Sequence, residues 1–149
     1  RGSGEIKTIE IDNTLADGLD ADFSNININN VFIKNTSNDC LDFSYGSYNI
    51  INAELNNCGD KGISLGEKSY LNLKKILIDN SNVALAVKDS SFGNVEYFNA
   101  NKIKNCISVY NKKQEFFGGD VMVNNFKCQN FINELNYDQN STIKIKNKL

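Results

Sequence analysis

Apolar and polar residues alternate along short stretches of this chain, and the alternation returns every 22 residues. One apolar column consists of Leu19, Leu41, Ile63, Leu85 and Ile107. A second apolar column lies two residues further on and consists of Ala21, Phe43, Leu65, Val87 and Val109. Polar or small residues stand between them: Asp20, Asp42, Ser64, Ala86 and Ser108. Alternation of this kind predicts a strand with one buried face in every repeat.

Three further columns share the 22-residue period. A second strand is indicated by the column Ile26, Tyr48, Tyr70 and Phe92. Small residues precede the first strand: Gly18, Cys40, Gly62, Ala84 and Cys106. An asparagine column consists of Asn13, Asn35, Asn57, Asp79 and Asn101. A short period with strands and no helical spacing predicts an all-β, single-stranded parallel β-helix (solenoid) of about six 22-residue coils.

The period breaks after Ile107. We take Ile132 as the next equivalent position and expect residues 112–119 to form an inserted loop, with a last strand over residues 141–146. Phe116 and Phe117 lie in this loop, where we expect them to cover the core. Residues 1–4 are interpreted as a linker or cloning remnant, and residues 5–149 as one β-helix domain that is a fragment of a larger protein.

Composition supports the solenoid and excludes several functions. The 26 asparagines favour amide ladders between stacked coils, and the absence of proline leaves the backbone donors of the coils intact. There is no histidine, and Arg1 is the only arginine, which excludes Ser-His-Asp catalysis and histidine-ligated metals. The net charge of −2 disfavours nucleic acid as a partner, and no apolar run is long enough to span a membrane.

The four cysteines do not have the spacing of a metal site. Cys40 and Cys106 share a column but stand three coils apart, roughly 14 Å, which is too far for a disulfide. Cys58 belongs to a different column, and an approach of Cys128 to Cys106 stays open. We therefore expect free, buried thiols. Most aromatic residues are expected to point inward, among them Phe43, Tyr48, Tyr70, Phe92 and Tyr97.

Several stretches resemble a known family. The segments at residues 17–20, 38–42, 59–64 and 87–90 are similar to bacterial right-handed parallel β-helix repeats of the pectate-lyase-like architecture. Residues 59–67 look like the β-helix modules attached to larger bacterial surface or secreted proteins. The resemblance covers roughly residues 5–135 and implies a right-handed coil and export.

The same resemblance implies catalytic arginines or histidines in the enzymes of this architecture. This chain has neither after Arg1, so we expect a non-catalytic module. A polysaccharide lyase that uses Lys61 or Lys88 together with carboxylates stays open as the alternative.

The outward positions of the first strand are the candidate site. Asp20, Asp22 and Asp42 lie close together in consecutive coils, so their charges repel unless a cation intervenes, and calcium suits such oxygen ligands. The same strip has the form of a shallow carbohydrate groove. Its candidate ligand-binding residues are Asp20, Asp22, Asp42, Ser64, Glu67, Lys88 and Tyr110.

These patterns predict an extracellular or cell-surface module that binds a polysaccharide or mediates adhesion. A structural rod is a further alternative, because open solenoid ends pair readily with other chains. We expect either end-to-end self-association or a missing N-terminal domain that covers the first coil.

Overall fold

The computed structural model describes residues 2–149, which form ten β-strands joined by short turns. The strands are β1 (Gly2–Thr14), β2 (Leu19–Asp22), β3 (Ser24–Thr36), β4 (Leu41–Ser44), β5 (Ser47–Cys58), β6 (Lys61–Gly66), β7 (Tyr70–Lys88), β8 (Phe92–Tyr110), β9 (Asp120–Tyr137) and β10 (Thr142–Lys148). Within this part of the chain, no helix is long and apolar enough to cross a membrane.

All strand pairs are parallel and join successive coils. The long strands stack in the order β1, β3, β5, β7, β8, β9, β10, and the short strands β2, β4 and β6 stack on the second half of β7. Leu19 pairs with Leu41, Leu41 with Ile63, and Ile63 with Leu85. The predicted all-β parallel solenoid with 22-residue coils is confirmed, with about seven turns rather than six because β10 begins another coil.

Inward columns of the strands build one continuous core. Leu41, Ile63, Leu85 and Ile107 are completely buried, as are Val31, Ala53 and Ile76 of the long strands. Phe43 stacks on Tyr48 at 4.1 Å between ring centroids, and Phe98 stacks on Phe126 at 5.2 Å. The alternation in the sequence therefore marks the core-facing side of the short strands correctly.

Asparagine side chains form the predicted ladders between coils. Asn35 donates to Asp12, Asn57 to Asn35 and Asn80 to Asn57, at 2.9–3.0 Å. Most residues of this turn column have positive φ, which asparagine tolerates better than most residues: Asn13, Asn35, Asn57, Asn80, Lys102 and Asn130. A second ladder, absent from the prediction, joins Asn27, Asn49, Asn72 and Asn94.

One extra residue in the third coil changes the register of the long strands. The step from Phe43 to Leu65 is 22 residues, whereas Ser47 pairs with Tyr70, a step of 23. Glu67 and Lys68, both with positive φ, lie in the turn between these positions. The step returns to 22 where Lys61 pairs with Val83. Asn80, and not the predicted Asp79, therefore carries the positive φ of the asparagine column.

This register shift corrects three predictions about aromatic residues. Leu71, and not Tyr70, occupies the inward position above Tyr48. Tyr70 is 58% exposed, and Phe92, which pairs with it, is 36% exposed. Tyr97 belongs to an outward column next to Lys75 and is 49% exposed. A single inserted residue moves every following side chain of a strand to the opposite face.

The inserted loop lies where the sequence predicts it, but the coil that contains it is longer than predicted. Ile107 pairs with Leu135, so the step is 28 residues and the predicted equivalence with Ile132 is wrong. Ile132 is 73% exposed. Phe117 is 81% exposed, and it therefore does not cover the core as expected, whereas Phe116 is half-buried.

The prediction of free thiols is wrong, because the four cysteines form two disulfides. Cys40 is bonded to Cys58 and Cys106 to Cys128, with Cα–Cα distances of 5.4 and 6.4 Å. Cys40 lies just before β4 and is bonded to the end of β5 in the next coil, whereas Cys106 and Cys128 lie within the long strands β8 and β9 of successive coils. The two cysteines of each bridge belong to different columns, and the turn between the strands brings them together, which the spacing along one column does not show.

In other coils, too, the residue before the short strand lies close to the long strand. The small-residue column faces the end of the long strand: a Cβ on Gly18 would lie 2.8 Å from the Ile33 side chain. Cys128 occupies the column of Ile33, and Cys106 that of Gly18. The Cys106–Cys128 disulfide therefore replaces an apolar contact that other coils make between the same two columns.

Residues 2–4, which the sequence assigned to a linker, extend β1 and pair with Ser24, Asn25 and Ile26. Arg1 lies outside the described residues.

Candidate functional site

The outer surface of the short strands carries the predicted site, and its first two coils are acidic. Asp20 pairs with Asp42 in the parallel ladder, and Asp22 follows two residues after Asp20. Asp20 and Asp22 are exposed and Asp42 is half-buried. Partial burial raises the pKa of Asp20, and the charges of Asp22, Asp42 and Asp17 raise it further. The predicted concentration of negative charge is therefore present at this end of the surface.

Within residues 2–149, no group of three or more acidic, cysteine or histidine side chains is arranged to hold a metal ion. The calcium site at Asp20, Asp22 and Asp42 stays a prediction.

The neighbouring aspartates Asp17 and Asp39 have a structural role. The Asp17 carboxylate accepts the backbone N–H of Asp39 at 3.0 Å, and the Asp39 carboxylate accepts that of Lys61 at 3.0 Å. Asp39 is buried, and Lys61 Nζ lies 3.5 Å from it. Burial raises the pKa of Asp39, while the charge of Lys61 opposes this shift. These carboxylates hold the turn of the next coil in place.

From the third coil onward, the predicted strip is covered. Ser64 and Ala86 are completely buried and Ser108 is 4% exposed, although all three point away from the core. Lys88 extends across Gly66, where a Cβ would lie 2.9 Å from its Cε, and donates from Nζ to Ser64 Oγ at 2.9 Å. The structure therefore brings Ser64 and Lys88 together but does not leave an open strip over them.

Lys88 holds an amine in an unusual environment. Lys88 is only 8% exposed, and among residues 2–149 no ion pair joins its Nζ to a carboxylate. Burial lowers the pKa of Lys88, the charges of Lys112 and Lys61 lower it further, and Asp42 and Glu67 oppose the shift. This environment therefore shifts the amine toward its neutral form relative to an exposed lysine.

Glu67 and Tyr110 flank Lys88. Glu67 accepts a hydrogen bond from Ser44 Oγ at 2.6 Å and forms an ion pair with Lys113 of the inserted loop, and these contacts lower its pKa against the opposing effect of burial. Tyr110 stands beside Lys88 in the ladder and is half-buried, which raises its pKa. The predicted residues Glu67, Lys88 and Tyr110 therefore share one part of the surface, next to Ser64.

The inserted loop is anchored by two polar side chains. Asp89 is completely buried, and its Oδ1 accepts the backbone N–H groups of Lys112 and Lys113 at 2.7 and 2.8 Å. Asn111 Nδ2 donates to the carbonyl oxygens of Phe116 and Phe117 at 2.8 and 3.0 Å. These contacts fold the loop back toward the earlier coils. Sequence reasoning singled out neither residue for this function.

An aromatic group borders the loop at the adjoining corner. The rings of Phe23 and Tyr45 stack at 4.5 Å, and Phe116 approaches Tyr45 edge-on at 6.3 Å. Lys68 Nζ lies 5.9 Å from the Phe116 ring. Phe23 and Tyr45 both have a φ of 50°, which is uncommon for bulky residues, and Phe23 is 54% exposed. The loop is thus held against the corner by aromatic contacts.

A second candidate site, which was not predicted from the sequence, lies on the long strands. We call it the long groove: an open groove of about 790 Å³ that crosses five coils. Along it runs one outward column, which consists of Glu10, Phe32, Glu54, Leu77 and Asn99. Acidic and apolar side chains alternate in the first four of these positions. The sequence signal was available, but the extra residue of the third coil displaces Leu77 from a strict 22-residue column.

A parallel column forms one side of the long groove. It contains Asp12, Lys34, Asn56, Asp79 and Asn101. Lys34 and Asp12 form an ion pair at 3.3 Å, and Asn35 also donates to Asp12, which lowers the pKa of this exposed carboxyl. Glu10 and Glu54 take part in no ion pair among the described residues. The long groove therefore offers free carboxylates, amides and apolar side chains along one line.

Comparison of the chain with family models, with curated proteins and with solved structures finds no match. The functional assignment therefore depends on the side chains that the solenoid presents.

Proposed function

We propose that this protein is a non-catalytic, exported β-solenoid module that binds a polysaccharide lying along the long groove. The observation that carries the proposal is the outward column of alternating acidic and apolar residues. Four steps of the usual inter-strand distance give the long groove a length of about 19 Å. An extended polymer can therefore contact five successive coils on a rigid surface.

The chemistry of the groove suits a sugar chain. Saccharides present hydroxyl groups at their edges and apolar C–H groups on their faces. Phe32 and Leu77 are half-exposed and provide apolar contact area, while Glu10, Glu54 and Asn99 provide acceptors for hydroxyl groups. Repetition of these groups in the coil direction favours a linear ligand over a compact one.

Export is the second component of the proposal. Two disulfides join adjacent coils, and disulfides persist mainly in oxidising compartments. This supports an extracellular or cell-surface location and agrees with the resemblance to bacterial right-handed β-helix modules of surface and secreted proteins. Adhesion through the bound polysaccharide is the corresponding biological function.

A glycan array with purified protein tests the proposal. We expect binding to at least one linear polysaccharide, and a loss of about tenfold in affinity in Phe32→Ser and in Glu54→Gln, because each removes one groove contact worth about 1.4 kcal/mol. Asp42→Asn, on the short-strand surface, is the matched control and keeps its affinity.

Two results would contradict this assignment. Binding that is lost in Asp42→Asn and kept in both groove variants would place the ligand on the acidic surface formed by Asp20, Asp22 and Asp42. Absence of binding to every glycan would reject the carbohydrate function itself.

A further inference from the structure

Lys88 is the most buried lysine in the part of the chain that the structure describes, and its amine has few partners. An ammonium group has three donors, and only the one aimed at Ser64 Oγ, at 2.9 Å, is used among residues 2–149. Its aliphatic stem lies over Gly66. Because a buried cation without a counter-ion is costly, the neutral and nucleophilic form of this amine is more accessible than that of an exposed lysine.

The charges around this amine come from several elements. Asp42 on β4 and Glu67 after β6 are acidic, whereas Lys61 on β6 and Lys112 of the inserted loop are basic. Glu67 is already engaged by Ser44 and Lys113. Asp42 stands next to Ser64 in the ladder, is half-buried, and takes part in no ion pair among the described residues.

Lys88, Ser64 and Asp42 therefore lie in a row that runs from the fourth coil to the second. Lys88 starts on the fourth coil and reaches Ser64 on the third, and Asp42 is the next outward residue, on the second coil. Beyond Asp42 the surface is open, since Asp20 and Asp22 are exposed. A small molecule that approaches along this surface meets the Asp42 carboxylate before it reaches Ser64 and the amine.

We propose that Lys88 is a carbonyl-reactive amine that forms an imine with an aldehyde, such as the open-chain end of a sugar, arriving from the Asp42 side. This activity lies on a different surface from the long groove and does not depend on the proposed glycan binding. A nucleophilic amine with a carboxylate beside it is the combination that imine formation needs.

The reaction balances without an oxidant or a reductant. The Nζ lone pair forms a bond to the carbonyl carbon, the π electrons of the carbonyl move to its oxygen, and a proton passes from nitrogen to that oxygen to give a carbinolamine. A second proton, relayed from water through the Asp42 carboxylate, leaves with the hydroxyl group as water. The nitrogen lone pair then completes the C=N bond, and the remaining N–H proton returns through the carboxylate to the hydroxide left by the relaying water. Amine and aldehyde give imine and water.

The inserted loop controls access in this proposal. Lys113 forms an ion pair with Glu67, and Phe116 contacts Lys68 and Tyr45, so the loop is fixed beside the amine. Replacing Lys113 by alanine removes the ion pair and leaves Lys88, Ser64 and Asp42 unchanged. The variant is expected to expose the amine further.

Reductive trapping of the intact protein tests the proposal. Glycolaldehyde and cyanoborohydride are added across a pH series, and the modified lysines are quantified by peptide mass spectrometry, with the exposed Lys74 and Lys104 as internal references. We expect Lys88 to be labelled several-fold faster than either reference at neutral pH, because burial lowers its pKa and a larger fraction of its amine is neutral. The pH midpoint of its labelling rate lies below theirs, and Lys113→Ala raises its rate.

Three results would overturn the proposal. The first is labelling of Lys88 with the same pH midpoint as Lys74 and Lys104. The second is absence of label on Lys88 in both the native protein and Lys113→Ala. The third is formation of an unsaturated product from a polyuronate, lost in Lys88→Met, which would assign the amine as the base of a lyase instead.

Discussion

The acidic residues of the short-strand surface illustrate how position decides the behaviour of one residue type. Asp17 and Asp39 accept backbone N–H groups from the following coil, whereas Asp20 and Asp22 point to solvent. The sequence places all of them in neighbouring columns, and the columns correctly predict which side chains meet. They do not show which carboxylates are satisfied by backbone donors, because that depends on the conformation of the turn.

A pH-dependent effect follows from the charge at Asp20. Its pKa is raised, so the folded state binds this proton more tightly than the unfolded chain, and stability falls as pH rises through the interval above the ordinary value of 3.8. Asp20→Asn removes the repulsion with Asp22 and Asp42. We expect a higher melting temperature than the native protein at pH 7 and no gain at pH 3, measured by circular dichroism.

Calcium provides the corresponding control. If the ion binds at Asp20, Asp22 and Asp42, added calcium raises the melting temperature of the native protein and EDTA lowers it, while Asp20→Asn responds less. An identical gain of stability for Asp20→Asn at pH 3 and pH 7 would contradict the electrostatic explanation.

At the scale of the element, each of the two disulfides links two successive coils. They close segments with sequence separations of 18 and 22 residues. Cross-links across loops of this size stabilise the folded state by about 3 kcal/mol each, mainly by restricting the unfolded chain. Because the two loops are similar in length, their contributions are expected to be similar.

Removing the bridges one at a time tests this expectation. The pairs Cys40→Ala with Cys58→Ala, and Cys106→Ala with Cys128→Ala, are each expected to lower the free energy of unfolding by about 3 kcal/mol in urea titrations. A reducing agent is expected to lower the stability of the native protein and to leave the variant without both bridges unchanged. A native protein that unfolds at the same urea concentration with and without reductant would refute the assignment.

Register within the elements is where prediction from the sequence was least accurate. The short strands keep a strict period, and their inward residues were predicted correctly. The long strands of the fourth and later coils were not, because the extra residue near Glu67 and Lys68 shifts their columns by one position. Strict 22-residue rows conceal the 23-residue steps from Asn49 to Asn72 and from Asn57 to Asn80. Tyr70 and Tyr97 are compatible with either face, so their chemistry could not identify the shift.

At the scale of the whole molecule, the sequence predicted the architecture but not the long groove. Repetition in register is sufficient to predict a parallel solenoid, since stacked coils place equivalent residues above one another. The long groove depends on which outward columns lie side by side along the bent long strands. Phe32 and Leu77 each stand between apolar neighbours in the sequence, so their outward position becomes clear only when the register of the long strands is known.

Both ends of the described solenoid expose apolar side chains. Leu15 is 97% exposed near the first coil, and Ile132 and Tyr137 near the last coils are 73% and 59% exposed. Unpaired strand edges add hydrogen-bonding groups at the same places. We therefore expect the 149-residue chain to self-associate, with an apparent mass that rises with concentration in light scattering.

Ile132→Lys tests the contact, because a charge on this strand edge opposes pairing with a second copy. Reduced association is the expected outcome. A constant monomer mass for the native protein over a hundredfold range of concentration would exclude it.

The 28-residue step between the fifth and sixth coils has a consequence for how such a protein can change. Strands β8 and β9 pair in continuous register although the loop between them is longer than every other turn. The pairing of the strands on either side of the loop therefore does not depend on the length of the loop. This corner can accept foreign peptide sequences, and new specificities can arise there by insertion while the rest of the scaffold is inherited intact.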